Sequence, residues 1–194
     1  MPVNATNNQL DLLAQEFNLI SVDDRYYQLN DIVGKNGTVI AFICNHCPYV
    51  IKIIERFVFE AEQLEKIGVS TVAIMSNDVV SYPADSFENM KLFAQKYNFN
   101  FPYLFDENQN MAKTYNAVCT PDIFGFNKYK LLKYRGRLDS GISNNNKNIK
   151  RELFYAMDLI AKKNKAPEKQ FNSFGCSIKW ISNDWINKKS NCNE

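Results

Sequence analysis

The chain has 194 residues, 45% of them hydrophobic, and 23 Lys and Arg against 21 Asp and Glu leave a net charge of +2. That size and apolar share supply a proper core and exclude a disordered chain. So small a charge excludes a field built for nucleic acid or for an anionic membrane.

No stretch approaches the roughly 20 apolar residues of a membrane span. Residues 1–18 lack an apolar run long enough for a signal peptide, so the expected location is cytoplasmic. One domain over 1–194 is expected, with a core at about 17–163 and a tail from 164 to 194 lying over it.

In chain order, Asn18 to Asn30 reads as a small hairpin or strand, and Gly34-Lys35-Asn36-Gly37 as a turn. Thr38 to Ile43 is β-branched and apolar without alternation, the pattern of a buried central strand. Pro48 to Lys66 is an amphipathic helix with Val50, Ile54, Phe57, Ala61 and Leu64 on one face, closed by Gly68. Val69 to Met75 is a second buried strand. Asp85-Ser86-Phe87-Glu88 reads as a capping box, with Asp85 at the N-cap of a helix reaching about Tyr97. Its inward residues are Phe87, Met90, Phe93 or Ala94, and Tyr97.

A short strand is expected over Phe101–Phe105 and a short helix over Gln109–Tyr115. Ile123–Phe126 and Leu131–Arg135 form a hairpin. Asn144-Asn145-Asn146 is a polar loop, and Asn148–Lys163 is a helix with Leu153, Ala156, Met157 and Ile160 inward. This order predicts an α/β fold: a mixed central sheet with helices on both faces.

The chemistry concentrates in Cys44-Asn45-His46-Cys47, which holds two of the five cysteines and the only histidine. A Cys-x-x-Cys between a strand and a helix signals thiol–disulfide exchange. Unpaired N–H groups and the positive end of the helix dipole both stabilise a thiolate there. Cys44 is expected at or near the N-cap, more exposed, as the attacking thiol, and Cys47 a turn inside as the resolving thiol. His46, if protonated, adds a cation that favours thiolate; the alternative is an exposed ring with no electronic role. Pro48 is tolerated in the first turn but restricts Cys47.

Two other readings of the motif stand beside exchange. One is a pair of buried thiols that only pack. The other is a metal site, which the single His and the lack of a second Cys-x-x-Cys argue against. No metal and no cofactor are therefore expected.

The strand into Cys44-x-x-Cys47 and the Thr120-Pro121 before a hairpin resemble the thioredoxin superfamily. More narrowly, Cys44 to Val50, Asp85 to Met90, Thr120 to Phe124, Tyr134 to Asp139 and Gly175 to Trp180 look like peroxiredoxin-like redoxins of the alkyl hydroperoxide reductase and thiol-specific antioxidant type. The likeness runs from about 17 to 180. It implies a thioredoxin-like fold, a cis bond at Pro121, and a substrate groove formed by Thr120 and Pro121 facing the catalytic Cys44 and Cys47, with His46 beside it.

Departures narrow the activity. With Cys47 placed as a peroxidatic cysteine, Cys44 stands where that pattern has Thr and Ile40 where it has Pro. No arginine stands near Thr120-Pro121, and no acidic residue lies in Thr38–Ile43.

The expected function is thiol–disulfide exchange between Cys44–Cys47 and a protein or low-molecular-weight thiol or disulfide partner. The alternatives are a thiol peroxidase, a metal-binding or metallochaperone module using Cys44, Cys47 and His46, and a non-catalytic interaction module. Cys119 is read as buried beside the groove. Cys176 either packs or, if the tail folds back over the motif, resolves a disulfide with Cys44. Cys192 is near the terminus. Arg135 and Arg137 are read as a solvated edge, and Trp180 and Trp185 as tail anchors. Oligomeric state and redox partner are not legible.

Overall fold

The computed structural model describes residues 2–5, 10–142 and 148–181. Asn144–Asn146, Trp185 and Cys192 lie outside the described residues. The elements are β1 (Pro2–Asn4), β2 (Asn18–Ser21), β3 (Tyr26–Gln28), α1 (Leu29–Ile32), β4 (Gly37–Phe42), α2 (Pro48–Lys66), β5 (Val69–Met75), α3 (Phe87–Lys96), β6 (Tyr103–Phe105), α4 (Asn110–Thr114), β7 (Cys119–Thr120), β8 (Asp122–Asn127), β9 (Leu132–Gly136), α5 (Glu152–Lys163) and β10 (Phe174–Ser177).

Every residue of β4 is buried, as its unbroken apolar sequence requires. It lies near the middle of a seven-stranded sheet of order β3-β2-β6-β5-β4-β8-β9. β4 pairs parallel with β5, and β5 with β6, while β8 and β9 run antiparallel to their neighbours. Side chains alternate across the sheet. Val39, Ala41 and Ile43 therefore face one core with residues of α2, α3 and α5. Ile40 and Phe42 face the other with Leu29 and Ile32 of α1 and Met111 and Ala112 of α4. This is the expected thioredoxin-like arrangement: a mixed sheet with helices on both faces.

α2 spans the predicted residues and ends where Gly68 adopts φ 76°, a conformation costly for any residue with a Cβ. Three local expectations need correction. The α3 N-cap is Ser86, whose Oγ accepts the Asn89 N–H at 3.3 Å; Asp85 instead ends a short 3-10 turn, Pro83–Asp85. α5 begins at Glu152 rather than Asn148. The tail carries a strand: β10 lies between β1 and β7 in a separate three-stranded antiparallel sheet.

Candidate active site at the Cys44–Cys47 loop

β4 ends at Phe42, and α2 starts at Pro48. The N-cap of α2 is Cys47, at φ −71° and ψ 119°, with Pro48 following it. Cys44 was expected in that position. Pro48 explains the difference: a proline holds the residue before it in the extended region an N-cap needs, and at the first helical position its missing N–H costs nothing. Cys44 is therefore outside the helix. Nor is it exposed: both thiols are buried, Cys44 at 1% and Cys47 at 0%.

Thr120 touches both sulfurs. Its Oγ1 lies 3.3 Å from Cys44 Sγ, and its carbonyl accepts from the Cys47 thiol at 3.1 Å. The bond from Thr120 to Pro121 is cis. Thr120 thus stands against the two cysteines, and its strand is paired with β10, Thr120 lying opposite Cys176.

The two thiols act on each other's ionisation, and their pKa values are pushed apart. Cys47 is lowered to about 5, first by the Cys44 thiol donating to it, with help from the thiol and N–H of Cys176 and the N–H of Val50, against the cost of burial. Cys44 is pushed well above the ordinary thiol range by that same bond, by burial and by the charge of Asp85. The Thr120 carbonyl is a partner only for a protonated Cys47. The Cys44 donor outweighs it, and titration belongs to the pair.

Asp85 is the residue that sequence reasoning missed. It is fully buried. Its carboxylate accepts the Asn45 N–H at 2.8 Å and the Asn77 Nδ2 at 2.7 Å. Asn45 is further held by its Nδ2 on the Ala84 carbonyl and by the Tyr103 hydroxyl on its Oδ1, both within 3.1 Å. Asp85 thus brings a buried carboxylate to this loop from the turn before α3.

His46 Nδ1 lies 2.7 Å from Asp85 Oδ2, off the line that a ring N–H needs for a hydrogen bond. Its ring stacks on Tyr82 at 5.9 Å and 6°. Donor atoms of Cys44, His46 and Asp85 lie within 4.8 Å of one another, so among the described residues this trio, and not Cys44, Cys47 and His46, is the grouping able to hold a metal ion.

The remaining sequence candidates sort differently. Cys119 is buried, its thiol pushed up by burial, and it donates to the Pro121 carbonyl at 3.7 Å. Arg135 is not a solvated edge: it is 4% exposed, paired with Asp122 and the Asn116 carbonyl at 2.8 Å each, its guanidinium 4.5 Å from the centre of the Phe124 ring. Arg137 holds Glu152 through two bonds of 2.7 and 2.8 Å. Trp180 packs against the core that contains Ile40 and Phe42.

A thioredoxin-like sheet whose central strand delivers a Cys-x-x-Cys against a Thr–cis-Pro defines a thioredoxin-like redoxin. The AhpC/TSA family model matches residues 11–137, and the chain belongs to that family. It is similar to the crystal structure of an uncharacterized conserved protein from Geobacillus kaustophilus at 42% identity, TM-score 0.88, over 93% of this chain and 96% of that one. A hypothetical protein from Sinorhizobium meliloti matches at 32% identity, TM-score 0.87, over 92% and 98%. Peroxidoxin BcpB from Mycobacterium tuberculosis shares the fold at 16% identity, TM-score 0.55, over 81% and 94%. No curated protein matches the chain. None of the described helices is long and apolar enough to cross a membrane.

Proposed function

We propose that the protein is a thiol–disulfide oxidoreductase that exchanges a Cys44–Cys47 disulfide with a protein or low-molecular-weight thiol partner. One observation carries this reading: two buried thiols both contact Thr120 ahead of a cis-proline, one of them at a helix N-cap with its pKa lowered to about 5. In the reductive direction the Cys47 thiolate attacks one sulfur of a partner disulfide and expels the other as a thiolate, which takes its proton from water. Cys44 then attacks Cys47, the partner's second sulfur leaves with the proton from Cys44, and a Cys44–Cys47 disulfide remains. This order, Cys47 first, reverses the order expected from sequence. It is supported by the placement of Cys47 on α2 and by the high pKa of buried Cys44. Thr120 and Pro121 are read as the partner-binding edge and His46 as its polar flank. The chain is read as one folding unit working in a reducing, cytoplasmic setting.

The test is reduction of insulin disulfides with a dithiol as electron source. Cys47→Ser should abolish turnover, and Cys44→Ser should lower it and prevent a Cys44–Cys47 disulfide from forming. Full activity in the Cys47 variant overturns the reading.

A second reading has its own support, since a thiolate at Cys47 occupies the place of a peroxidatic cysteine in the resemblance above. There the thiolate takes an oxygen from a hydroperoxide, giving Cys47 sulfenic acid and an alcohol or water. Against it, Arg135 is committed to Asp122 and Asn116. Consumption of hydrogen peroxide at the expense of a thiol donor selects this reading.

A further inference from the structure

We propose that Cys176 is a second resolving thiol for Cys47, held in place by the chain's own tail strand on the edge of Thr120. The inference rests on the dithiol reading above and extends it from two sulfurs to three.

The geometry starts from Gly175. A Cβ at that position would lie 2.0 Å from the Thr120 carbonyl oxygen and 2.7 Å from its carbon. Only glycine lets β10 approach Thr120 so closely. The next residue, Cys176, lies directly opposite Thr120 in the antiparallel pair, and directly opposed residues in such a pair have Cα atoms about 4.5–5.5 Å apart. Thr120 is the residue that contacts both Cys44 and Cys47. Cys176 accordingly packs against the cluster that holds Cys47, and the two thiols influence each other's ionisation. Its other side is held by β1, where Pro2 lies opposite it. From sequence this thiol either packs or pairs with Cys44; in the structure it is Cys47 that acts on its ionisation.

Cys47 is therefore a hub with a thiol on each side. Cys44 is 1% exposed, whereas Cys176 is half-buried and can be reached from solvent. The Cys176 thiol is raised to about 11 by burial and then by Cys47, with Lys179 opposing. Once Cys47 has entered a disulfide it carries no charge, and that second cause is removed.

The step is an exchange. Cys176, as thiolate, attacks the Cys47 sulfur of a Cys47–partner mixed disulfide. The Cys47–Cys176 bond forms, the Cys47–partner bond breaks, and the partner leaves as a thiol carrying the proton lost by Cys176. Attack on a Cys44–Cys47 disulfide likewise gives Cys47–Cys176 and a Cys44 thiol. No outside oxidant is needed beyond the partner disulfide.

The test uses the full chain with Cys44→Ser, mixed with glutathione disulfide, quenched with acid and mapped by mass spectrometry without reduction. The expected product is a peptide pair joined through Cys47 and Cys176. Adding Cys176→Ser should leave glutathione on Cys47 and lengthen the life of that adduct at least about tenfold, since an adjacent thiol outcompetes one from solution. Equal adduct lifetimes with and without Cys176, and no Cys47–Cys176 peptide, would overturn the proposal. The wild type run in parallel separates the two claims. If it forms Cys44–Cys47 and reduces insulin while Cys44→Ser forms no Cys47–Cys176, only this inference falls. If it forms no Cys44–Cys47 bond, the dithiol reading falls.

Discussion

Asp85, fully buried, accepts the backbone N–H of Asn45 at 2.8 Å across 40 residues of sequence. That bond and the Asn77 amide at 2.7 Å tie the loop between the two thiols to the turn before α3. Asp85→Asn would turn an amide N–H toward one of those two donors. An unsatisfied buried donor costs about 1–3 kcal/mol, so urea unfolding should show a loss in that range. The variant also removes a charge that helps raise Cys44, after the Cys47 bond and burial. In a Cys47→Ser background, alkylation of Cys44 should then begin at lower pH. An unchanged midpoint together with an unchanged alkylation profile would remove Asp85 from the site.

The lowered pKa of Cys47 makes stability rise with pH over a defined window. At neutral pH the folded protein holds a Cys47 thiolate and the unfolded chain a thiol, so unfolding takes up a proton. The contribution is complete above the ordinary thiol value of 9.0 and is lost as pH falls to about 5. Cys44 acts oppositely above the ordinary thiol range, where the unfolded chain ionises before the folded one does. Reduced wild type should gain stability over Cys47→Ser as pH rises from about 5 to 9, and thiolate absorbance should titrate near the bottom of that window. A constant difference between the two proteins across it would contradict the thiolate assignment.

Arg135 and Asp122 form a buried pair at 2.8 Å. Removing one partner of such a pair strands the other, at about 3–5 kcal/mol. Arg135→Ala should show that loss in denaturant unfolding. The Asp122 carboxyl is already pushed up by burial, with Arg135 opposing. Without Arg135 it should protonate more readily, so the deficit should shrink as pH is lowered from about 8 to about 5. A deficit independent of pH would show that the loss is one of packing alone.

Gly175→Ala tests the docking of β10 without touching any sulfur. Its Cβ would strike the Thr120 carbonyl at 2.0 Å, and backbone cannot yield as a side chain can. Overpacking of this kind costs about 1–3 kcal/mol, and β10 should lift from β7. Cys47 should then react faster with a bulky maleimide than in wild type. Equal reactivity would show that β10 does not cover the thiols.

Where a segment carried its own signal, sequence and structure agree. The unbroken apolar run of β4 and the three-and-four spacing of Val50, Ile54, Phe57, Ala61 and Leu64 are local properties, and they placed the thiols at a strand–helix junction. Asp85 was hidden because Asp85 and Ser86 are adjacent and both suit an N-cap; Ser86 takes the cap, which frees Asp85 to face Asn45. Residues 2–4, 119–120 and 174–177 are too short to show a period, and their pairing spans most of the chain. Arg135 looked solvated because the Asp122 that neutralises it lies 13 residues away, across the hairpin.

Pro2, Cys176 and Thr120 form one row across three strands, with Cys176 in the centre. The two ends of the described chain are thereby stitched to each other and to the thiol loop by a single strand. A change next to Pro2 acts two strands away from Thr120, the residue that touches both Cys44 and Cys47. Trimming the tail ahead of Phe174 would remove β10 and with it the strand that β1 pairs to.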